Sequence, residues 1–396
     1  MKSKKNIKPR KMVIDNTMND EIVDILKKYL NKMDVSYQDM VLSKKIYERI
    51  CSSYKDSCKL HHDYSVKDMS SPCELTPSSF LPQEVIQTIH NTLHYQYRVV
   101  FSHKNIDFTV SLYTNRIVKI SDYISYIKWI VCLCLQNIKN EKKEVMTIDL
   151  YLTSLKKMVP GGFNQVIQPI HINSGYSMFS DMHICIYREE EWMKVLLHEC
   201  FHAFNMDFHE EQIHFPNLFQ NTFFIHSKFL VFESFVEFWA RVLNCALFTY
   251  TLKPSMNCKE FCEVFALNLN IERIHSLLQA SKMLNLFQLT YKDTISSEKG
   301  AICKTIYKED TNAFCYYVIT AILMNFFDKT IQWFDVHNND DLFQFDKSER
   351  QVVIFCHYIK QLAKSEALIE LLDELNVCKI QKENYMKMTL FEIKLK

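Results

Sequence analysis

Apolar residues recur along this chain with two different periods, and the change of period divides it. Near the start, Ile22, Ile25, Leu26 and Leu30 return every three or four positions, so residues 18–60 are expected to be helical. Ser, Pro and Asp crowd residues 65–82, which read as a loop, and a helix is expected over 82–92. Residues 95–102 and 106–113 are rich in β-branched and aromatic side chains and are joined by His103, Lys104 and Asn105, a hairpin signal. A helix over 123–138, a strand over 145–152, a break at Pro160 and Gly161, a short strand within 165–173 and a strand over 183–187 follow. Beyond residue 214 the period is helical almost throughout: 222–250, 258–268, 270–286, 310–330 and 348–375. This order predicts an α+β protein. Residues 1–80 form a helical region with a basic tail, 81–210 an α+β lobe with a mixed sheet, and 211–396 a mainly helical lobe. The two lobes are expected to meet across a cleft, with a boundary near 210.

One predicted helix, residues 191–205, is apolar nearly all round and should be buried. Glu189, Glu190 and Glu191 stand where the first turn is expected, and Asn205 is a natural left-handed stop. Inside it lies His198-Glu199-Cys200-Phe201-His202. Positions i and i+4 share a helix face, so both imidazoles can point at one ion, and Glu199 can reach a water on that ion. Two histidines and a glutamate buried without partners are costly, and a metal removes that cost. The bland alternative is a pair of core histidines bonded to neighbours. Cys200 faces away from the histidines and reads as a small core residue.

A catalytic zinc keeps three protein ligands and one open position. Asp207, His209, His214 and His226 are available but lack a supporting pattern. Glu233, Glu237 and Arg241 are the stronger signal, an i, i+4, i+8 stripe on another very apolar helix. Glu233 on the metal satisfies one buried carboxylate. Glu237 can accept the free N–H of a liganding histidine, pair with Arg241, or replace Glu233 as the ligand.

A helix with H-E-x-x-H followed by a helix with E-x-x-x-E resembles the gluzincin class of zinc metallopeptidases, on His198, Glu199, His202, Glu233 and Glu237. Residues 146–241 also resemble metallopeptidase-like proteins of large DNA viruses, through His171–Ser177, Ile184–Trp192 and the His198 helix. The resemblance implies a zincin-like lobe, one Zn2+ per chain held by His198, His202 and Glu233, Glu199 as general base, and Glu237 behind a histidine. It also implies a peptide or protein substrate. An oxyanion donor from the helical lobe is implied too, for which Tyr316 and Tyr317 are candidates; adjacent helical residues face different ways, so only one can serve. The metzincin pattern does not fit, because Phe208 stands where its third histidine belongs. An alternative of a different class is a catalytically inactive, virion-associated binding protein that keeps the metallopeptidase core. The intact Glu199 argues against it.

Composition narrows the setting. Forty-seven basic residues balance 46 acidic ones, so no nucleic-acid partner is expected, and the basic start reads as a solvated tail. The four glycines form no phosphate-binding loop. No secretory signal or spanning apolar run is visible, and 14 scattered cysteines in apolar runs suit reduced thiols. A cytoplasmic protein without membrane attachment is therefore expected, and the resemblance to viral proteins implies a host cytoplasm or virion. Cys51, Cys58, His61, His62 and Cys73 are irregularly spaced and match no zinc-finger pattern, and Cys258 and Cys262 read as small buried residues on a helix.

Overall fold

The computed structural model describes residues 28, 40–69, 75, 80–138, 142–161, 166–178, 180–209, 215–338, 341–376 and 385–395. It is α+β and 54% helical. Helix α1 (Met40–Ser57), strand β1 (Asp63–Asp68), helix α2 (Gln83–Thr92), strands β2 (Tyr95–His103) and β3 (Ile106–Thr114), helix α3 (Ile120–Leu135) and strand β4 (Glu144–Tyr151) come first. Strands β5 (Gly175–Met178) and β6 (His183–Ile186) lead into α4 (Trp192–Ala203). The rest is helical: α5 (Val231–Leu252), α6 (Cys258–Asn285), a π-helical stretch (Phe314–Ile319) running into Thr320–Asn325, α7 (Phe327–His337), α8 (Glu349–Ala363) and α9 (Glu366–Asn376).

The six strands lie in the order β1-β2-β3-β4-β6-β5. β3, β4 and β6 run parallel, while β1, β2 and β5 join antiparallel. The expected hairpin is present. Lys104 and Asn105 both take positive φ, 49° and 61°, the two-residue turn whose twist matches its strands. Alternation divides the sheet's faces. Val99, Val110, Ile148 and Ile184 belong to the large core that includes α3, α4 and α5, whereas Tyr113, Tyr151, Tyr176 and Tyr187 pack with Val85 and Ile89 of α2. The large core continues through the helical half to Phe391.

Several expected elements change. The loop over 65–82 overlaps β1, whose six residues are all exposed, so no apolar alternation marks it and its pairing with β2 holds it. Residues 165–173 hold a helical turn, Pro169–Ile172, with proline in the first turn and a Gln168–His171 capping box, in place of a strand. The two helices expected over 258–286 are one, started by an Asn257–Glu260 capping box. Residues 222–230 are not helical, 310–330 holds the π stretch, and 348–375 breaks between α8 and α9. Residues 18–27 and 29–39 of the first expected helix lie outside the described residues, as does the expected lobe boundary at 210.

The C-terminal segment, residues 385–395, crosses the back of α4 as a strap. The amides of Met388 and Thr389 donate to Glu191, and that of Leu390 donates to Glu272. Asn244 donates to the Phe391 carbonyl, and the Tyr317 hydroxyl to that of Met386. Among the described residues no helix is long and apolar enough to cross a membrane, and no described cysteine is in a disulfide.

Glu272 ties the strap to pH. Burial raises its carboxyl from the ordinary 4.5 to about 7, against the opposing pull of Arg241. The folded state thus binds the proton more tightly than the unfolded chain. The stability this contributes is full below about pH 4.5 and is lost as pH rises through about 7. Glu272→Gln should flatten the stability profile between pH 5 and 8, removing a slope worth at most about 3 kcal/mol. Thermal unfolding at both pH values checks this; equal slopes in wild type and variant reject it.

Candidate metal centre

Helix α4 lies beneath β5 and β6 and against α5. It is buried along almost its whole length, as its apolar circumference requires. Its start differs from the expectation. Glu191 is the N-cap in a left-handed conformation (φ 58°), so the acidic run does not form a first turn. Glu190 and Glu191 instead turn inward, while Glu189 pairs with Arg116 at the surface. Lys157 donates through Nζ to Glu191 at 2.6 Å and through its amide to Glu190 at 2.9 Å. The helix ends as expected, with Asn205 at φ 54°.

His198 Nε2, His202 Nε2 and Glu233 Oε2 form a nearly equilateral triangle. The two nitrogens are 3.1 Å apart, and each is 3.2 Å from the oxygen. Each imidazole has its other nitrogen on a carboxylate. His198 Nδ1 donates to Glu237 at 3.1 Å, and His202 Nδ1 donates to Asp207 at 2.5 Å. Carboxylates only accept, so both Nδ1 atoms carry the hydrogen and both Nε2 lone pairs face the Glu233 oxygen. Three lone pairs converging in a buried place repel one another unless a cation lies between them. Tetrahedral ligands about 2.0–2.1 Å from a zinc-sized ion stand about 3.3–3.4 Å apart, close to this spacing. His198, His202 and Glu233 are thus a group able to hold a metal ion.

The protonation tendencies agree. Burial pushes the two histidines down, but Glu233 and Glu237 outweigh it at His198, and Asp207 and Glu233 outweigh it strongly at His202, so both are raised. Burial pushes Glu233 up, but the histidines, His202 foremost, pull it to about 2. In the absence of metal, a proton is the cation the triangle would take.

Glu237 is held by more than His198. Lys194 Nζ reaches both its oxygens, at 3.0 and 2.8 Å, and Arg241 Nε donates to Oε1 at 2.8 Å. The histidine support and the Arg241 pair expected of Glu237 therefore coexist, with Lys194 as an added partner. These cations outweigh burial and keep Glu237 well below the usual carboxylate range.

Glu199 is buried beside the triangle, and burial raises its carboxyl. The Ser177 hydroxyl bonds it. Gly175 explains how β5 comes so near. A Cβ there would stand 2.8 Å from the Cys185 carbonyl, 2.9 Å from Val195 and 3.4 Å from Glu199 Oε1. The triangle and Glu199 open into a cleft of about 350 Å³, walled by β5 on one side and by Phe232, Asn312 and Tyr316 on the other.

The π-helical stretch presents Tyr316. Its ring centroid is 5.9 Å from that of His198, and Arg241 holds its carbonyl at 2.9 Å. The neighbouring Cys315 carbonyl is capped by Ser234 and Thr320. Of the two tyrosines only Tyr316 lines the cleft; Tyr317 is turned into the core, toward the strap. His209 sits at the cleft and is bound by Asp207 at 2.9 Å, His226 is exposed elsewhere, and His214 lies outside the described residues. Cys200 is fully buried in the core, as expected. Cys51, Cys58, His61 and His62 form no metal group among the described residues, and Cys73 is outside them.

Asn312 and Lys194 were not anticipated as site residues, Asp207 was weighed only as a possible ligand, and Gly175 and Ser177 only as members of the stretch His171–Ser177. Asp207 was visible five positions after His202 but reaches it through the turn at Asn205, off the helix face. Lys194, a lone cation one turn before His198 on an apolar helix, was a readable signal. Asn312, which donates to Glu233 Oε1 at 3.4 Å, carried none. Compared with protein-family models, curated proteins and solved structures, the chain matches none.

Glu233→Ala should abolish stoichiometric metal binding. Asp207→Asn should weaken it about 10–100-fold, as loss of a histidine's orienting carboxylate does elsewhere. Chelator competition measures both, and unchanged affinity in Glu233→Ala would move the third ligand elsewhere. Gly175→Ala should push β5 off α4 and cost about 1–3 kcal/mol by overpacking. Unfolding by denaturant tests this; a wild-type midpoint means the strand tolerates the methyl.

Proposed function

We propose that this chain is a zinc-dependent metallopeptidase of the gluzincin type, with Glu199 as its general base. One observation carries the reading. Glu199 and the triangle of His198, His202 and Glu233 open together into a single cleft. Two imidazoles and one carboxylate with an open side are the donor set of a catalytic zinc site, whereas calcium and magnesium favour all-oxygen sites. When bound, zinc supplies a Lewis acid that acidifies a water and polarises a carbonyl.

Glu199 takes a proton from the attacking water and later delivers it to the leaving amine. Its buried position favours the protonated form it must pass through, and the Ser177 hydroxyl donates to its charged form. Glu237 and Asp207 keep both imidazoles in the liganding tautomer. Tyr316 is the donor for the developing oxyanion, a role closed to Tyr317 by its bond to the strap. Among the described strands β5 is the outer one of the sheet beside the cleft, so an extended peptide can add alongside it.

The open cleft and the retained base support turnover over the binding-only reading. The resemblance to proteins of large DNA viruses adds a setting to this proposal, the host cytoplasm or the virion.

Glu199→Gln should keep one zinc per chain by elemental analysis while lowering kcat about 10²–10⁴-fold. Wild-type turnover in a zinc-loaded Glu199→Gln protein sinks the mechanism.

A further inference from the structure

We propose that β1 is a homodimer interface: it pairs antiparallel with β1 of a second copy about a two-fold axis at Ser65, joining the two sheets edge to edge. This goes beyond the peptidase reading and does not depend on it.

Among the described strands β1 ends the sheet on the side opposite β5, and all six of its residues, Asp63–Asp68, are exposed. Tyr64 and Val66, 58% and 52% exposed, stand across from Val99 and Tyr97, which are buried in the large core. They carry the core face of the sheet out past its cover, and apolar surface placed there gains by burial.

The backbone sets which registers are allowed. The two-residue turn makes His103 and Ile106 a hydrogen-bonded pair, so odd-numbered residues of β2 bond β3 and even-numbered ones bond β1. Gln96, Arg98 and Val100 thereby take Lys67, Ser65 and Asp63, and the Met69 amide donates to the His94 carbonyl at 2.8 Å in the same phase. The N–H and C=O groups of Tyr64, Val66 and Asp68 therefore point outward. A second copy of the strand must bond these even-numbered residues with its own.

The side chains choose among those registers. Centred on Ser65, Asp63 faces Lys67 of the second copy and Tyr64 faces its Val66, each twice by symmetry. Opposite charges and aromatic–β-branched pairs are favourable cross-strand neighbours. One allowed step away, either Lys67 faces Ser65 and Tyr64 faces Asp68, or Asp63 faces Ser65 and Val66 faces His62, and both kinds of pair are lost. Charge on an edge strand ordinarily deters pairing. Here its sign and spacing admit a copy of the same strand, and the contact closes at two copies.

Sedimentation velocity of the full-length protein tests this. A strand pair is a small interface, so a monomer–dimer equilibrium with a Kd of about 10–100 μM is expected. Asp63→Lys and Lys67→Asp each bring like charges opposite and should each weaken the dimer at least about tenfold. An equimolar mixture of the two variants should regain it as a one-to-one heterodimer, because each like-charged strand then meets its opposite. A monomer at every concentration up to about 1 mM, whatever covers β1, overturns the proposal. So does a dimer that both single variants keep, or a mixture of weakened variants that stays monomeric.

Discussion

Three lone pairs forced together are the constraint on which the centre depends. Two helices are packed so that His198, His202 and Glu233 meet at 3.1–3.2 Å with the imidazole N–H groups pointing outward. That arrangement is unfavourable for the chain alone, so neighbouring structure must impose it. The restraint comes from behind. Glu237 and Asp207 take the outward N–H groups, and the cations Lys194 and Arg241 keep Glu237 charged in a site where burial would neutralise it. Removing one partner of such a buried set leaves an uncompensated charge, so the set stands or falls as a unit.

The same restraint reaches the rest of the fold through Arg241 and Glu191. Arg241 bonds Glu237, Ser276 on α6 and the Tyr316 carbonyl at once, so the tyrosine is registered to the group that orients His198. The π-helical stretch makes this possible at the cost of disturbed backbone bonding, which Ser234 and Thr320 repair at Cys315. At the other end of α4, Glu191 ties Lys157 and the strap to the helix start. The helix that carries His198 and His202 is thus fixed at its start by residues 157 and 388–389 and along its face by α5.

What could be read from the sequence was what depends on local period. The i, i+4 spacing of His198 and His202 and the Glu233, Glu237, Arg241 stripe define faces of single helices, and the two faces were correctly set against each other. The β2–β3 hairpin was legible because its turn and alternation are contiguous. β1 was not, because its side chains are exposed and only pairing defines it. Glu191 was misplaced because an acidic residue before a helix ordinarily serves the helix dipole. Here Lys157 and two amides some two hundred positions downstream claim it, and the backbone turns to positive φ to deliver it. Asn312 and Asp207 fall in the same class, their partners chosen by tertiary packing or by a left-handed turn.

Counting charges shows why a divalent ion suits this interior. Behind the triangle, Glu237 lies between Lys194 and Arg241, and Asp207 between His202 and His209. At the triangle, Glu233 and Glu199 carry two negative charges beside two neutral imidazoles. A dication brings that front layer to neutrality without asking either carboxylate to bind a proton. Without it, the raised proton affinity of both histidines and of Glu199 is the interior's own means of reducing the same imbalance. Protons and metal therefore compete for the same negative potential, and the two rows of charge on α4 and α5 are what create it.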